Sequence, residues 1–141
     1  KNYISKRNLN IFSFVKYKFV PKLLSKYDVL LMPYEEKVMV NSKSLNTSKY
    51  MSPLKMFDYL AAGKIIISSN QKVLREILKN NYNCFIVKNN NLKGWISTIK
   101  NLKNHNNLNK ISFNAIQTAN KYTWINRVIK IKKIYFENVN K

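Results

Sequence analysis

Four residues within Tyr50 to Asn70, YMSPLKMFDYLAAGKIIISSN, have the types and spacing to do chemistry together: Ser52, Pro53, Lys55 and Asp58. A helix start leaves its first backbone N–H groups without internal partners, and these face outward with the positive end of the helix dipole. Lys55 adds a cation beside them, so this corner suits an anion such as a phosphate. Asp58 follows Lys55 by three residues and shares its side of a helix, and helical side chains lean toward the N-terminus. A carboxylate there can accept one hydrogen bond from each hydroxyl of a vicinal diol. A phosphate at the helix start with a sugar diol on the acid describes a nucleotide.

Those residues need a helix to hold them, and the local sequence provides its punctuation. Ser52 is a good N-cap, Pro53 suits the first helical position and Gly63 suits a left-handed C-terminal residue, which predicts a helix from about Pro53 to Ala62. Leu54, Phe57 and Ala61 are expected on its core-facing stripe, with Leu60 beside it. Before it, Val29–Met32 is a continuous apolar run bounded by Asp28 and Pro33, the pattern of a strand buried on both faces. After it, Ile65–Ile67 reads as a second buried strand, Val73–Lys79 as a helix and Asn83–Val87 as a third strand. Upstream, Leu9–Phe14 reads as a strand and Val20–Lys26 as helical, while Glu35–Lys49 is polar and aperiodic. From Asn91 onward the apolar residues recur at three and four, with Thr123 placed to cap a last helix. Alternating strands and helices on short links predict an α/β fold: a parallel sheet flanked by helices, with a helical C-terminal end.

The stretch SPLKMFDYLAAGKIIISSN resembles the donor-binding segment of glycosyltransferases of the GT-B fold, in particular the family 4 type. DVLLMPY, VLREIL, NCFIV and YTWINR resemble, in the same order, the elements that surround that segment. The resemblance implies a Rossmann-like sheet forming an incomplete C-terminal domain over residues 1–121, and a C-terminal helix over 122–141 that crosses back onto the other domain. It implies Ser52, Pro53, Leu54 and Lys55 at the diphosphate of a UDP- or GDP-linked sugar, with Lys55 stabilising the leaving group. Asp58 then lies at the ribose. Two positions depart from the family pattern. The usual acid at the ribose is Glu, one methylene longer than Asp58. The family often carries another Glu eight positions earlier, contacting the sugar, and here Tyr50 stands in that place. The implied activity is retaining transfer of a hexose to an acceptor hydroxyl in cell-envelope or polysaccharide assembly, with no cofactor and no bound metal. The acceptor groups would lie on an N-terminal domain outside these residues, which leaves this part alone inactive or nearly so. The alternatives are a non-catalytic relative acting as a scaffold and a basic nucleic-acid-binding protein.

At 141 residues the chain has room for one domain with a core of its own, not for two nucleotide-binding-like domains. It starts at Lys1, which reads as a piece of a longer protein. Twenty-six Lys and Arg face six Asp and Glu, for a net charge of +20. Such a balance attracts polyanions, whether nucleic acid or an anionic membrane surface. The basic residues are almost all Lys, however, and Asn and Ile are equally abundant, the signature of AT-rich codons. No nucleic-acid-binding module accompanies the charge, so genome composition is the simpler account of it. The expected location is cytoplasmic, peripheral at the inner face of the membrane.

Cys84 and His105 are each the only residue of their type, which excludes an internal disulfide and leaves no metal-ligand cluster. His105 falls in the polar run KNHNN and reads as a loop residue. Phe12, Phe14, Phe57 and Phe85 sit in apolar patterns that read as core. No apolar run reaches the roughly eighteen residues needed to cross a bilayer.

Overall fold

The structure, a computed structural model, describes residues 11, 13–35, 39–40, 45–46 and 53–139. A 3₁₀ turn at Tyr17–Phe19 leads into α1 (Val20–Leu24), where Pro21 supplies a preset φ in the first turn. Next come β1 (Val29–Met32), the short strands β2 (Met39–Val40) and β3 (Leu45–Asn46), α2 (Leu54–Ala61) and β4 (Ile65–Ser69). After a second 3₁₀ turn at Leu74–Glu76, β5 (Phe85–Val87) is followed by α3 (Leu92–Asn101), α4 (Leu108–Lys121) and α5 (Trp124–Val139).

β1, β4 and β5 form a parallel sheet in the order β1-β4-β5, with Val29 opposite Ile65 and Ile67 opposite Phe85. Parallel neighbours need crossovers, and α2 lies in the one between β1 and β4. The chain is thus a small α/β fold. β4 is the central strand, and all five of its residues are buried. Its side chains alternate between two apolar clusters, as a period of two requires. Ile66 joins Met32, Met56, Leu60, Leu74, Leu78 and Ala115. Ile65 and Ile67 join Phe85, Val87, Leu102 and Ile111. α2 packs against α4, and α3 lies against β5.

Several expectations are revised. β1 is not buried on both faces: Leu30 and Met32 are covered while Leu31 is exposed, because β1 has a partner strand on one side alone among the described residues. The stretch 73–79 makes one 3₁₀ turn in place of a helix, the Asn83 amide taking the Ile77 carbonyl and the Lys79 N–H that a longer helix would use. Residues 11, 13 and 14 are irregular where a strand was expected, and Phe14 is exposed, not core; Leu9, Asn10 and Phe12 lie outside the described residues. The aperiodic stretch 35–49 contains the antiparallel pair β2 and β3. His105 is half-buried and packs edge-on against Phe85, with ring centroids 5.1 Å apart.

The C-terminal helices follow the sequence closely. Asn91 caps α3 by accepting from the Gly94 N–H at 3.0 Å, and Thr123 Oγ1 accepts from the Asn126 N–H at 3.2 Å at the start of α5. Every described side chain of α5, from Trp124 to Glu137, is exposed. Tyr122 packs its ring on Phe57 at 5.6 Å, whereas Trp124 is exposed and stacks with the Arg127 guanidinium at 5.4 Å. Among the described residues no helix is long and apolar enough to cross a membrane.

Candidate functional site

α2 begins one residue later than the sequence predicts. Pro53 is its N-cap, with extended backbone (φ −70°, ψ 115°), and its carbonyl accepts from the Met56 N–H at 3.0 Å. Pro53 therefore does not occupy the first helical position, which falls to Leu54. Ser52 and Tyr50 lie outside the described residues. The buried face differs from the expected one as well. Met56 and Leu60 enter the core, Phe57 is half-buried, and Leu54 and Ala61 are exposed. Leu54 is thus not a core residue: its side chain stands in solvent at the mouth of the helix.

The far end of α2 is fixed as the sequence requires. Gly63 has φ +61°, a conformation that costs glycine little and other residues much. A Cβ there would meet Ile116 Cδ1 at 2.6 Å, and the Gly63 carbonyl accepts from the Ser112 hydroxyl of α4. Glycine is therefore needed for its conformation and for the close approach of α4.

The chemistry-bearing side chains of α2 divide between two neighbours. The Lys55 ammonium lies 5.3 Å from the centroid of the Tyr34 ring, just beyond the carboxyl end of β1. Tyr34 is anchored there by its N–H, which donates to Ser69 Oγ at 2.7 Å, and the Gln71 side chain donates to the neighbouring Glu35 carbonyl. These bonds tie together the ends of β1 and β4, the edge at which open α/β sheets bind ligands. Burial pushes the Tyr34 phenol above its ordinary value, so it stays a neutral ring under the cation.

Asp58 turns the other way. Its Oδ1 accepts from the Tyr17 hydroxyl at 2.9 Å. That hydrogen bond and the carboxylate's charge together push the Tyr17 phenol above its ordinary value. Behind the pair, a cleft of about 280 Å³ runs between α1 and α2, lined by Val20, Pro21, Leu24, Ala61 and Ala62. Neither Tyr17 nor Tyr34 stands out in the sequence. Each is a single tyrosine beside a proline or a lysine, and chain reversals bring both to α2.

Sequence reasoning also misses a second cleft. Asn70 and Lys88, at the carboxyl ends of β4 and β5, line about 300 Å³ together with Arg75, Lys79 and Asn80, and no carboxylate lines it. Among the described residues the one ion pair lies elsewhere, between Lys133 and Glu137 at 3.8 Å.

Cys84 is buried, and burial pushes its thiol up to about 12, which keeps it protonated and unreactive at neutral pH. Among the described residues no three His, Cys, Asp or Glu side chains gather as a metal site. No protein-family model matches the chain and no characterised protein matches it in sequence, so the reading of this site rests on its own residues.

Proposed function

We propose that this chain is the donor-binding part of a nucleotide-sugar-dependent glycosyltransferase with a Rossmann-like, GT-B type C-terminal domain. One observation carries the reading: the start of α2 has the Lys55 ammonium on its Tyr34 side, at the carboxyl end of the sheet, and the Asp58 carboxylate one turn on, on its Tyr17 side. A nucleoside diphosphate laid along α2 would place its phosphates at the free N–H groups of Leu54 and Lys55, assisted by the Lys55 ammonium. Its ribose diol would meet Asp58.

Transfer of the sugar breaks the bond between the anomeric carbon and the diphosphate, and forms one from that carbon to an acceptor hydroxyl oxygen. Positive charge develops at the anomeric carbon and negative charge on the departing diphosphate. Oriented N–H dipoles and one lysine stabilise the latter before the reaction begins, so no reorganisation is needed as it proceeds. Asp58 orients the nucleotide and transfers no proton. No metal is invoked, since lysine and the helix start carry the neutralising charge. With nucleotide sugars as donors the setting is cytoplasmic, at the inner face of the membrane where surface glycans are assembled.

Isothermal calorimetry with UDP, GDP and ADP tests the proposal. Binding of at least one, lost about tenfold or more in Asp58→Ala and in Lys55→Ala, is the expected result. Absence of binding, or unchanged binding in Asp58→Ala, overturns it. The rival reading as a nucleic-acid-binding protein draws on the basic cleft of Arg75, Lys79 and Lys88. Tight RNA or DNA binding with a steep salt dependence, and no nucleotide binding, would favour that reading instead.

A further inference from the structure

We infer that Tyr17 is a positioning and specificity residue of the donor site, its phenol and the Asp58 carboxylate acting as one composite acceptor for a ribose diol. The inference rests on the proposed nucleotide reading of α2 and goes beyond it by assigning a residue from outside the Tyr50–Asn70 stretch and a selectivity for ribose over deoxyribose.

A phenol carries one donor and two acceptor lone pairs. In this structure the donor is committed to Asp58 Oδ1 at 2.9 Å, which leaves the lone pairs of Tyr17 Oη able to accept. Among the described residues no other side chain donates to the Asp58 carboxylate, so Oδ2 is available as well. Two acceptors therefore stand side by side on the rim of the cleft between α1 and α2. The two hydroxyls of a ribose diol are two donors at a fixed short separation, and a deoxyribose offers one fewer.

The fold gives Tyr17 no comparable structural duty. Its side chain is 73 % exposed. The 3₁₀ turn that carries it is held by its own backbone, the Phe19 N–H donating to the Lys16 carbonyl at 2.9 Å, and by Pro21. An exposed hydrogen bond across 41 residues adds little to stability, and here it directs the acid toward Tyr17. The arrangement also answers the shortness of Asp58, because the phenol extends the acceptor surface out from the 3₁₀ turn where the acid's single methylene does not reach.

The remaining geometry fits a nucleotide in length. At 1.5 Å rise per residue, Asp58 lies about 6 Å along the axis from Leu54, and Ala62 about 12 Å. Phosphates at Leu54, ribose at the Tyr17–Asp58 pair and a flat base over the apolar cleft of Val20, Pro21 and Leu24 would follow the helix in order.

The test compares UDP and GDP with their 2′-deoxy counterparts by calorimetry on the full chain, in wild type, Tyr17→Phe and Asp58→Asn, with thermal melts as a fold control. The wild type is expected to prefer the ribonucleotide by about tenfold, the value of one hydrogen bond to a charged acceptor. Tyr17→Phe, melting like the wild type, is expected to weaken ribonucleotide binding and narrow that preference, with Asp58 Oδ1 then free to accept in place of the phenol, while binding the deoxynucleotide unchanged. Asp58→Asn should lose the preference. Equal weakening of both nucleotides in Tyr17→Phe, or no weakening, overturns the role of Tyr17 and leaves the donor reading standing. A preference retained in Asp58→Asn overturns the composite acceptor. No binding of any nucleotide by the wild type overturns both the inference and the reading beneath it.

Discussion

Asn83 donates from Nδ2 to Thr118 Oγ1 at 3.1 Å, joining the turn before β5 to the last turn of α4. The same amide donates to the Ile77 carbonyl at 3.0 Å, and its Oδ1 accepts from the Lys79 N–H at 2.8 Å. Thr118 in turn donates to the Asn114 carbonyl at 2.7 Å. Both residues are buried, so every lost partner leaves a polar group without water to replace it. Asn83→Ala is expected to cost about 2–4 kcal/mol in urea unfolding, and Thr118→Val about 1–2 kcal/mol. The double variant should cost less than the sum, because both report one network. Additive losses would show that the two residues act independently.

Gly63 predicts a loss with a different cause. Gly63→Ala must hold a positive φ and push its Cβ into Ile116, where α2 meets α4. The expected destabilisation is about 1–3 kcal/mol. Adding Ile116→Ala should recover part of it by relieving the contact while leaving the backbone term. No recovery would assign the whole effect to φ.

Cys84 makes stability depend on alkaline pH. The thiol ionises near 9.0 when unfolded and near 12 in the fold, because burial disfavours the thiolate. Its contribution is complete below pH 9 and is lost as pH rises toward 12, since the unfolded chain alone releases the proton in that window. Urea melts between pH 8.5 and 11 should therefore fall more steeply for the wild type than for Cys84→Ala. Iodoacetamide should leave the native thiol unmodified and label it on unfolding.

α5 contributes no described buried side chain, so its removal should leave the sheet and its helices intact. Ending the chain after Thr123 keeps the contact between Tyr122 and Phe57. The melting temperature is expected to move by no more than about 2 °C, and trypsin should cut first at Arg127, Lys130, Lys132 or Lys133. A cooperative loss of the whole fold on truncation would show that α5 is integral to it.

The sequence reveals those elements whose identity is set locally. β4 is legible because three isoleucines and two serines follow a glycine that can only end a helix there, and the caps at Asn91 and Thr123 sit directly before periodic runs. The buried face of α2 is misread because several apolar residues could face inward, and packing against the core and α4 selects Met56 and Leu60. Leu54 then faces solvent while Met56 takes the core. VLREIL has helical spacing, yet the Asn83 amide takes the Ile77 carbonyl and the Lys79 N–H that a continuing helix would use, and one 3₁₀ turn forms. β2 and β3 are too brief to carry a pattern. Of the candidate site, Lys55 and Asp58 are visible in the sequence. Their partners Tyr34 and Tyr17 are not, because they lie 21 and 41 positions away and meet α2 through the path of α1 and β1.

β1 has a further property that follows from its place at the end of the sheet order. It pairs with β4 on one side, and among the described strands nothing pairs with it on the other. Its outward N–H and C=O groups form a row whose spacing is set by the sheet and whose direction is set by β4. The exposed Leu31 side chain marks the same border as an apolar margin. A further strand laid against that edge would gain main-chain hydrogen bonds in a register already set by β4.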